Sequence, residues 1–247
     1  MPTLYLLGTG AAVSDPHRTT TMLALATEQT LLAIDCGGDL VQRLMATGLD
    51  PRALDGLIVT HEHPDHVAGF PLFMEKIWLL GRTAPLPVYG IAPALAQAQR
   101  CLDAFDIGHW GLPDIHWIET PFEPGACLLE QETWRITAAP VQHSVPTVGL
   151  RAEHRATGRV LAYSCDTEPC DAVVTLAAGA DLLVHEATGE GPGHSSIAQA
   201  AEIARRAQAK RAVLVHLPPS ALRPDLDEAR TLFPALELGE EGAAIPY

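Results

Sequence analysis

The run Leu57-Ile-Val-Thr-His-Glu-His-Pro-Asp-His66 constrains this chain more than any other. An apolar, β-branched stretch ends at Thr60. Four side chains able to ligate a metal follow within six residues: His61, His63, Asp65 and His66. Alternate residues of an extended segment share a face, so His61 and His63 can grip one ion. The chain then turns into a helix, from which Asp65 and His66 can reach a second ion beside the first. Imidazole and carboxylate at this density suit zinc, with manganese or iron as alternatives. A polar loop with three surface histidines is the plain alternative. The alternation at a strand end argues against it.

Four further positions stand where another half-sheet would offer them. His143 follows the strand candidate Trp134–Ala138, Asp166 ends the apolar run Val160–Cys165, and His216 ends Ala212–Val215. His194 lies in Gly-His-Ser-Ser at a helix start. Each alone is an ordinary strand-end polar residue or cap. Together they gather at sheet edges, where loop-borne sites are built.

The remainder reads as one α/β domain over residues 1–247, long enough to bury a large core. Hydrophobic residues make up 47% and charged residues 19%, which excludes disorder. Strands are expected at Thr3–Leu7, Met22–Ala26, Leu31–Ile34, Gly56–Val59, Pro87–Tyr89, Ile115–Ile118, Trp134–Ala138, Val148–Glu153, Val160–Tyr163, Leu182–Val184 and Ala212–Val215. Helices are expected at Asp39–Ala46, Asp65–Leu80, Pro93–Phe105, Asp171–Ala178, Ser196–Ala207 and Leu226–Phe233, with Ser195 and Asp225 as N-caps of the last two. Many strands with helices spread between them imply two sheets covered outside by helices. Gly108–Gly125, rich in Gly, Pro and Trp, is the expected irregular excursion. No internal repeat is visible.

Five cysteines without C-x-x-C spacing argue against a disulfide framework and for the cytoplasm. The start, MPTLYLLGTG, has no basic region and reads as a first strand, and no apolar run reaches membrane-spanning length. With 16 Lys+Arg against 30 Asp+Glu the formal charge is −14, which repels polyanions at long range.

Taken together, the elements Leu7-Gly-Thr-Gly10, His61-Glu-His-Pro-Asp-His66, His143, Ser164-Cys-Asp-Thr167, His185-Glu-Ala-Thr188, Gly193-His-Ser-Ser196 and His216 resemble a metallo-β-lactamase-fold hydrolase of the ribonuclease Z-like branch. The resemblance implies an αββα sandwich of two mixed sheets flanked by helices. It also implies two zinc ions, with Mn2+ or Fe as alternatives. One ion would be held by His61, His63 and His143, the other by Asp65, His66 and His216, with Asp166 bridging them. A metal-bound hydroxide would attack a phosphodiester. Asp65 would orient the nucleophile or take its proton, and His194, supported by Glu186, would stabilise the transition state or protonate the leaving oxygen. His185 is read as structural. The family also suggests a homodimer.

Processors of tRNA in this branch carry a long arm, expected between the third-motif histidine and the bridging aspartate. Here His143 and Asp166 are 23 residues apart, a span filled by two expected strands and a turn. The resemblance is therefore to the arm-less phosphodiesterases, and the expected substrate is a small or short phosphodiester. A tRNA 3′-processing endoribonuclease is the alternative. A glyoxalase II-like thioesterase shares the H-x-H-x-D-H motif but lacks the context of Val141-Gln-His-Ser-Val-Pro146 and His-Glu-Ala-Thr. A non-catalytic scaffold fits least, since all seven expected ligands are present. Arg18 is read as a solvated loop arginine, and Arg205, Arg206, Lys210 and Arg211 as a wet helix end. The turn Gly8-Thr-Gly10 would let backbone approach substrate. Cys165 is expected to face away from Asp166, because neighbours along a strand point to opposite faces.

Overall fold

Alternation along the strands sorts the core of this protein into two layers. The computed structural model describes residues 1–219 and 226–247, so the expected N-cap Asp225 lies outside the described residues. Strands β1 (Thr3–Gly8), β2 (Met22–Ala26), β3 (Leu31–Ile34), β4 (Gly56–Val59), β5 (Leu86–Gly90) and β6 (Ile115–Glu119) form one sheet. Strands β7 (Ala126–Glu130), β8 (Trp134–Pro140), β9 (Val148–His154), β10 (Arg159–Tyr163), β11 (Leu182–Glu186), β12 (Ala212–Val215) and β13 (Leu236–Leu238) form the second. Strand β14 (Ala244–Pro246) returns to pair with β1.

In the second sheet, Trp134, Ile136, Leu161, Tyr163, Leu182, Val184, Val213 and Val215 join a core shared with the first sheet. Their neighbours Val160, Ala162, Leu183, Ala212 and Leu214 join a separate layer with α5 (Asp171–Leu176), α6 (Ile197–Arg206) and α7 (Leu226–Leu232). Strands buried on both faces read as continuous apolar runs, which is how these appear in the sequence. On the far side, α1 (Leu40–Ala46), α2 (Pro64–Val67), α3 (Phe70–Leu79) and α4 (Ala92–Asp103) contribute Leu40, Leu44, Val67, Phe70, Phe73 and Ala94 to the first core. The result is two mixed sheets flanked by helices. Among the described residues, no helix is long and apolar enough to cross a membrane.

The two sheets share one pairing plan. In the order β14-β1-β2-β3-β4-β5-β6 the first three pairings are antiparallel and the last three parallel. The order β7-β8-β9-β10-β11-β12-β13 runs the same way. No sequence repeat announces this duplication. Its consequence is that each half has carboxyl ends of parallel strands, the edge at which open α/β sheets place ligands.

Several local expectations need correction. The single helix expected at Asp65–Leu80 is two, because the chain must pass Gly69 close to Cys36–Gly38. A Cβ on Gly69 would lie 2.2 Å from the Gly38 carbonyl oxygen, and one on Gly37 would lie 1.8 Å from that of Asp65. The loop after β3 is thereby pressed against the start of α2. Ser196, not Ser195, caps α6, in a reciprocal capping box with Gln199. Strands β7, β13 and β14 went unrecognised. Two are three residues long, and β7 carries a register shift between Cys127 and Leu129.

Candidate metal centre and its acid arm

Chemistry-bearing residues follow the carboxyl ends of parallel strands from both sheets. Asp35 follows β3, His61 follows β4, Asp166 follows β10, Glu186 closes β11 and His216 follows β12. Among the described residues outside glycine, four have positive φ, and three of them belong here: Asp35 (63°), Cys165 (54°) and His216 (52°). Each left-handed residue costs roughly 1–3 kcal/mol and turns the chain sharply out of its strand. Such strain gathers where surrounding contacts over-determine the backbone.

The hydrogen bonds behind the histidines decide which ring atoms face inward. Asp35, fully buried, accepts from the Thr60 N–H (2.9 Å), the Thr60 hydroxyl (2.9 and 3.0 Å) and His66 Nδ1 (2.8 Å). His61 Nδ1 meets Thr60 Oγ1 at 3.1 Å. His143 Nδ1 donates to the Gly193 carbonyl at 2.7 Å, and His216 Nδ1 meets Thr188 Oγ1 at 2.6 Å. Four imidazoles are therefore held by Nδ1 from outside, leaving Nε2 for the site. His63 presents Nδ1 instead, 3.1 Å from His61 Nε2 and 3.0 Å from His143 Nε2.

Two clusters result. His61, His63 and His143 form one, and Asp65, His66, Asp166 and His216 the other. Asp166 Oδ2 lies 3.4 Å from His66 Nε2, 3.3 Å from His216 Nε2 and 4.0 Å from His61 Nε2, between the two groups. Asp65 Oδ2 is 3.2 Å from His216 Nε2 and 3.6 Å from His66 Nε2. Burial drives the His61 and His143 imidazoles toward neutrality, below the usual histidine pKa. Burial also opposes charge on Asp166, yet the facing His216 and His66 outweigh it and hold the carboxyl well below its ordinary range.

The donors fit a metal. Three ring nitrogens in the first cluster point at one another, and His63 Nδ1 can donate to only one of the others. In the second, His66 Nε2 and Asp166 Oδ1 are buried and make no hydrogen bond within the geometry a good one requires. A buried polar atom that makes no hydrogen bond costs roughly 1–3 kcal/mol, so a cation that accepts these lone pairs relieves both clusters.

An acid arm lies alongside. Glu186, fully buried, accepts from the backbone of Thr167 (3.1 Å), Ser195 (3.0 Å) and Thr188 (2.9 Å), and from His194 Nδ1 (3.0 Å). The bond to Glu186 raises the His194 pKa above its ordinary value despite partial burial. His194 stacks on His216 at 5.6 Å between ring centroids and lies 5.2 Å from His143.

A family model described as a β-lactamase superfamily domain matches residues 30–217. The chain belongs to this superfamily. Its curated relatives include a ribonuclease Z of Mycobacterium sp. (strain KMS), 32% identical over 96% of this chain and 93% of that one. Among solved structures, the short form of human tRNase Z matches with a TM-score of 0.82 at 24% identity, over 100% of this chain and 98% of that one. A diphosphatase from the PhnP family matches with a TM-score of 0.78 at 21% identity, over 100% and 98%. The chain is thus a superfamily hydrolase of the ribonuclease Z-like branch.

The structure brings together all nine candidate site residues named from the sequence: His61, His63, Asp65, His66, His143, Asp166, Glu186, His194 and His216. Asp35, Thr60 and Thr188 were not weighed there as site residues. Asp35–Thr60, Asp35–His66 and Thr188–His216 span 25, 31 and 28 residues, and only an acidic residue following Leu31–Ile34 hinted at the first. Cys165 is a correction. The strand ends at Tyr163, the left-handed φ breaks alternation, and the thiol packs 3.0 Å from Thr60 Oγ1 and 3.6 Å from His61 Nδ1. Arg18 is another: it reaches Thr9 Oγ1 (2.7 Å) and the Gly239 carbonyl (3.1 Å) rather than solvent. The turn Gly8-Thr-Gly10 is tied to the segment after His216, through Ala11 N–H to Leu217 O and Leu217 N–H to Thr9 O, both 2.9 Å. His185 is fully buried and donates Nδ1–H to the Glu186 carbonyl.

Gly193 is where backbone and site meet. Its φ is +81°, and a Cβ there would lie 2.8 Å from His143 Nδ1. Gly193→Ala is expected to push His143 out of the first cluster and add roughly 1–3 kcal/mol of strain. Chelator competition should show one weakened metal equivalent, and thermal unfolding a lower midpoint.

Proposed function

We propose that residues 1–247 form one hydrolase domain that holds two zinc ions and cleaves a phosphodiester of small or short substrates. The observation that carries the reading is the facing set of ring nitrogens beside buried His66 Nε2 and Asp166 Oδ1, which make no hydrogen bond. His61, His63 and His143 would hold one ion, Asp65, His66 and His216 the other, and Asp166 both. Bound there, the ions would polarise phosphoryl oxygens and make water nucleophilic near neutral pH. Asp65 is close enough to the second cluster to orient that water and take its proton. Glu186 fixes His194 through Nδ1, so His194 Nε2–H is the proton given to the leaving oxygen as the P–O bond breaks.

Substrate size follows from what surrounds the chemistry. Between His143 and Asp166 the chain is occupied by β9, β10 and the turn Ala156-Thr-Gly158, with Gly158 N–H bonded to the His154 carbonyl. The basic cluster is neutralised locally: Arg205 pairs with Glu202, Arg206 with Asp171, Lys210 with Asp181 and Arg211 with Glu237. With a net charge of −14, these features favour a small substrate over tRNA. The names of the ribonuclease Z relatives favour the second reading, tRNA 3′ processing. Free cysteines accord with a cytoplasmic setting.

Three outcomes are expected. His63→Ala removes metal and activity together, whereas His194→Ala keeps both metal equivalents and lowers kcat by about 10²–10⁴-fold, the range for a lost general acid. Elemental analysis beside steady-state kinetics checks this, and metal loss from the His194 variant would refute the assignment. His194 works as an acid only while protonated, so turnover falls as pH rises through its pKa. Glu186 holds that pKa up, hence Glu186→Gln should move the alkaline limb of the kcat profile to lower pH. A pH–rate series on both proteins reads the shift. Finally, kcat/KM for bis-p-nitrophenyl phosphate or a cyclic nucleotide should exceed that for precursor tRNA at one fixed salt concentration. Faster cleavage of precursor tRNA at a single 3′ position would replace the small-substrate reading with the second one.

A further inference from the structure

We propose that the hydroxyls of Thr60 and Thr188 are positioning residues that fix the tautomers of His61 and His216, one for each proposed ion. The inference rests on the ligand assignment above and deepens it. A threonine hydroxyl has one proton to give. That of Thr60 is committed to Asp35, with Oγ1 at 2.9 and 3.0 Å from the two carboxylate oxygens. Its oxygen can then only accept from His61 Nδ1 at 3.1 Å, which puts the ring proton on Nδ1 and the lone pair on Nε2. Thr188 repeats the logic in the other half. Its hydroxyl proton goes to the His216 carbonyl at 2.9 Å, and Oγ1 accepts from His216 Nδ1 at 2.6 Å.

Thr60 is fully buried and the Thr188 hydroxyl is committed to His216, so neither is offered as a catalytic residue. Each acts through a histidine. Thr188 has a second tie: its N–H donates to Glu186 Oε2 at 2.9 Å, so one residue anchors both His216 and the carboxylate that holds His194. The ring of His66 is fixed by Asp35 and that of His143 by a carbonyl, acceptors that carry no proton of their own. His61 and His216 depend instead on hydroxyls whose own protons are spoken for. Without the hydroxyl, the imidazole proton is free to sit on Nε2, the atom the ion must take, and binding must first move it.

The test uses metal-free and zinc-loaded full-length protein, with Thr60→Val, Thr188→Val, Thr60→Ser and Thr188→Ser. Nitrogen-15 NMR of labelled histidines in the metal-free protein reads which ring nitrogen is protonated. His61 and His216 should carry Nδ1–H in the unmodified chain and in both serine variants. His216, whose Nε2 faces Asp65 and Asp166, should lose Nδ1–H in Thr188→Val, and the His61 proton should move to Nε2 in Thr60→Val. Chelator competition should show one zinc equivalent weakened by about 10- to 100-fold in each valine variant, and near-normal affinity in the serine variants. Cys165 Sγ, 3.6 Å from His61 Nδ1, is a weak substitute acceptor, so Thr188→Val gives the cleaner reading. If Thr60→Val fails to fold, Thr188→Val and the unmodified spectrum decide alone. Absence of Nδ1–H from either histidine in the unmodified metal-free protein, or Nδ1–H retained on His216 in Thr188→Val, overturns the proposal. His61→Ala and His216→Ala separate it from the reading beneath: each should lose a zinc equivalent. Retention of both ions by these two variants would bring down the ligand assignment and this proposal together.

Discussion

The candidate metal centre of this protein hangs on the carboxylate of Asp35. It is buried, it sits in a left-handed backbone conformation, and it accepts from Thr60 and His66. Through His66 it reaches one cluster directly, and through Thr60 and His61 it reaches the other. A charge-assisted bond to a buried carboxylate is roughly twice as strong as a neutral one, so this group can hold strained neighbours in place. The close passage of Gly37 and Gly69 serves the same end. It brings the loop after β3 against α2, with Cys36 N–H bonded to the His66 carbonyl at 2.8 Å.

The duplicated pairing plan explains why the site has two halves. Each sheet turns its carboxyl strand ends toward the same seam, and the seam receives candidate ligands from both. The first sheet supplies them from one local motif, His61 to His66, on a single strand-to-helix turn. The second supplies single residues, His143, Asp166 and His216, from three separate strand ends. Glu186 and His194 come from the second half as well. The grip on a metal and the acid arm therefore share supports, Thr188 among them.

Local order was legible in the sequence wherever the relevant spacing was short. The H-x-H-x-D-H motif could be read because its members lie within one turn of chain, and the buried strands because both their faces are apolar. The pairing of β13 and β14 could not be read: Leu236-Glu-Leu and Ala244-Ile-Pro are too short to show a period. Cys165 was misplaced because alternation holds only while the backbone stays extended, and a φ of 54° ends it. Asp35 and Thr60 are 25 residues apart and form a unit only after β3 and β4 pair in parallel. Function was easier to read than its supports. Ligand chemistry selects residue type, while a supporting hydroxyl looks like any other threonine.

Strand β14 has a consequence for how this chain is made. Leu4 pairs with Ile245, so the outer edge of β1 stays bare until a strand about 240 residues further along has been synthesised. A nascent chain emerging from the ribosome thus carries an open, apolar strand edge while all the intervening strands are being made. Such edges invite pairing with another copy, and contacts this distant along the chain make folding slow. The fold is completed by a late-made clasp, and its yield in the cell depends on how well that edge is shielded until the clasp arrives.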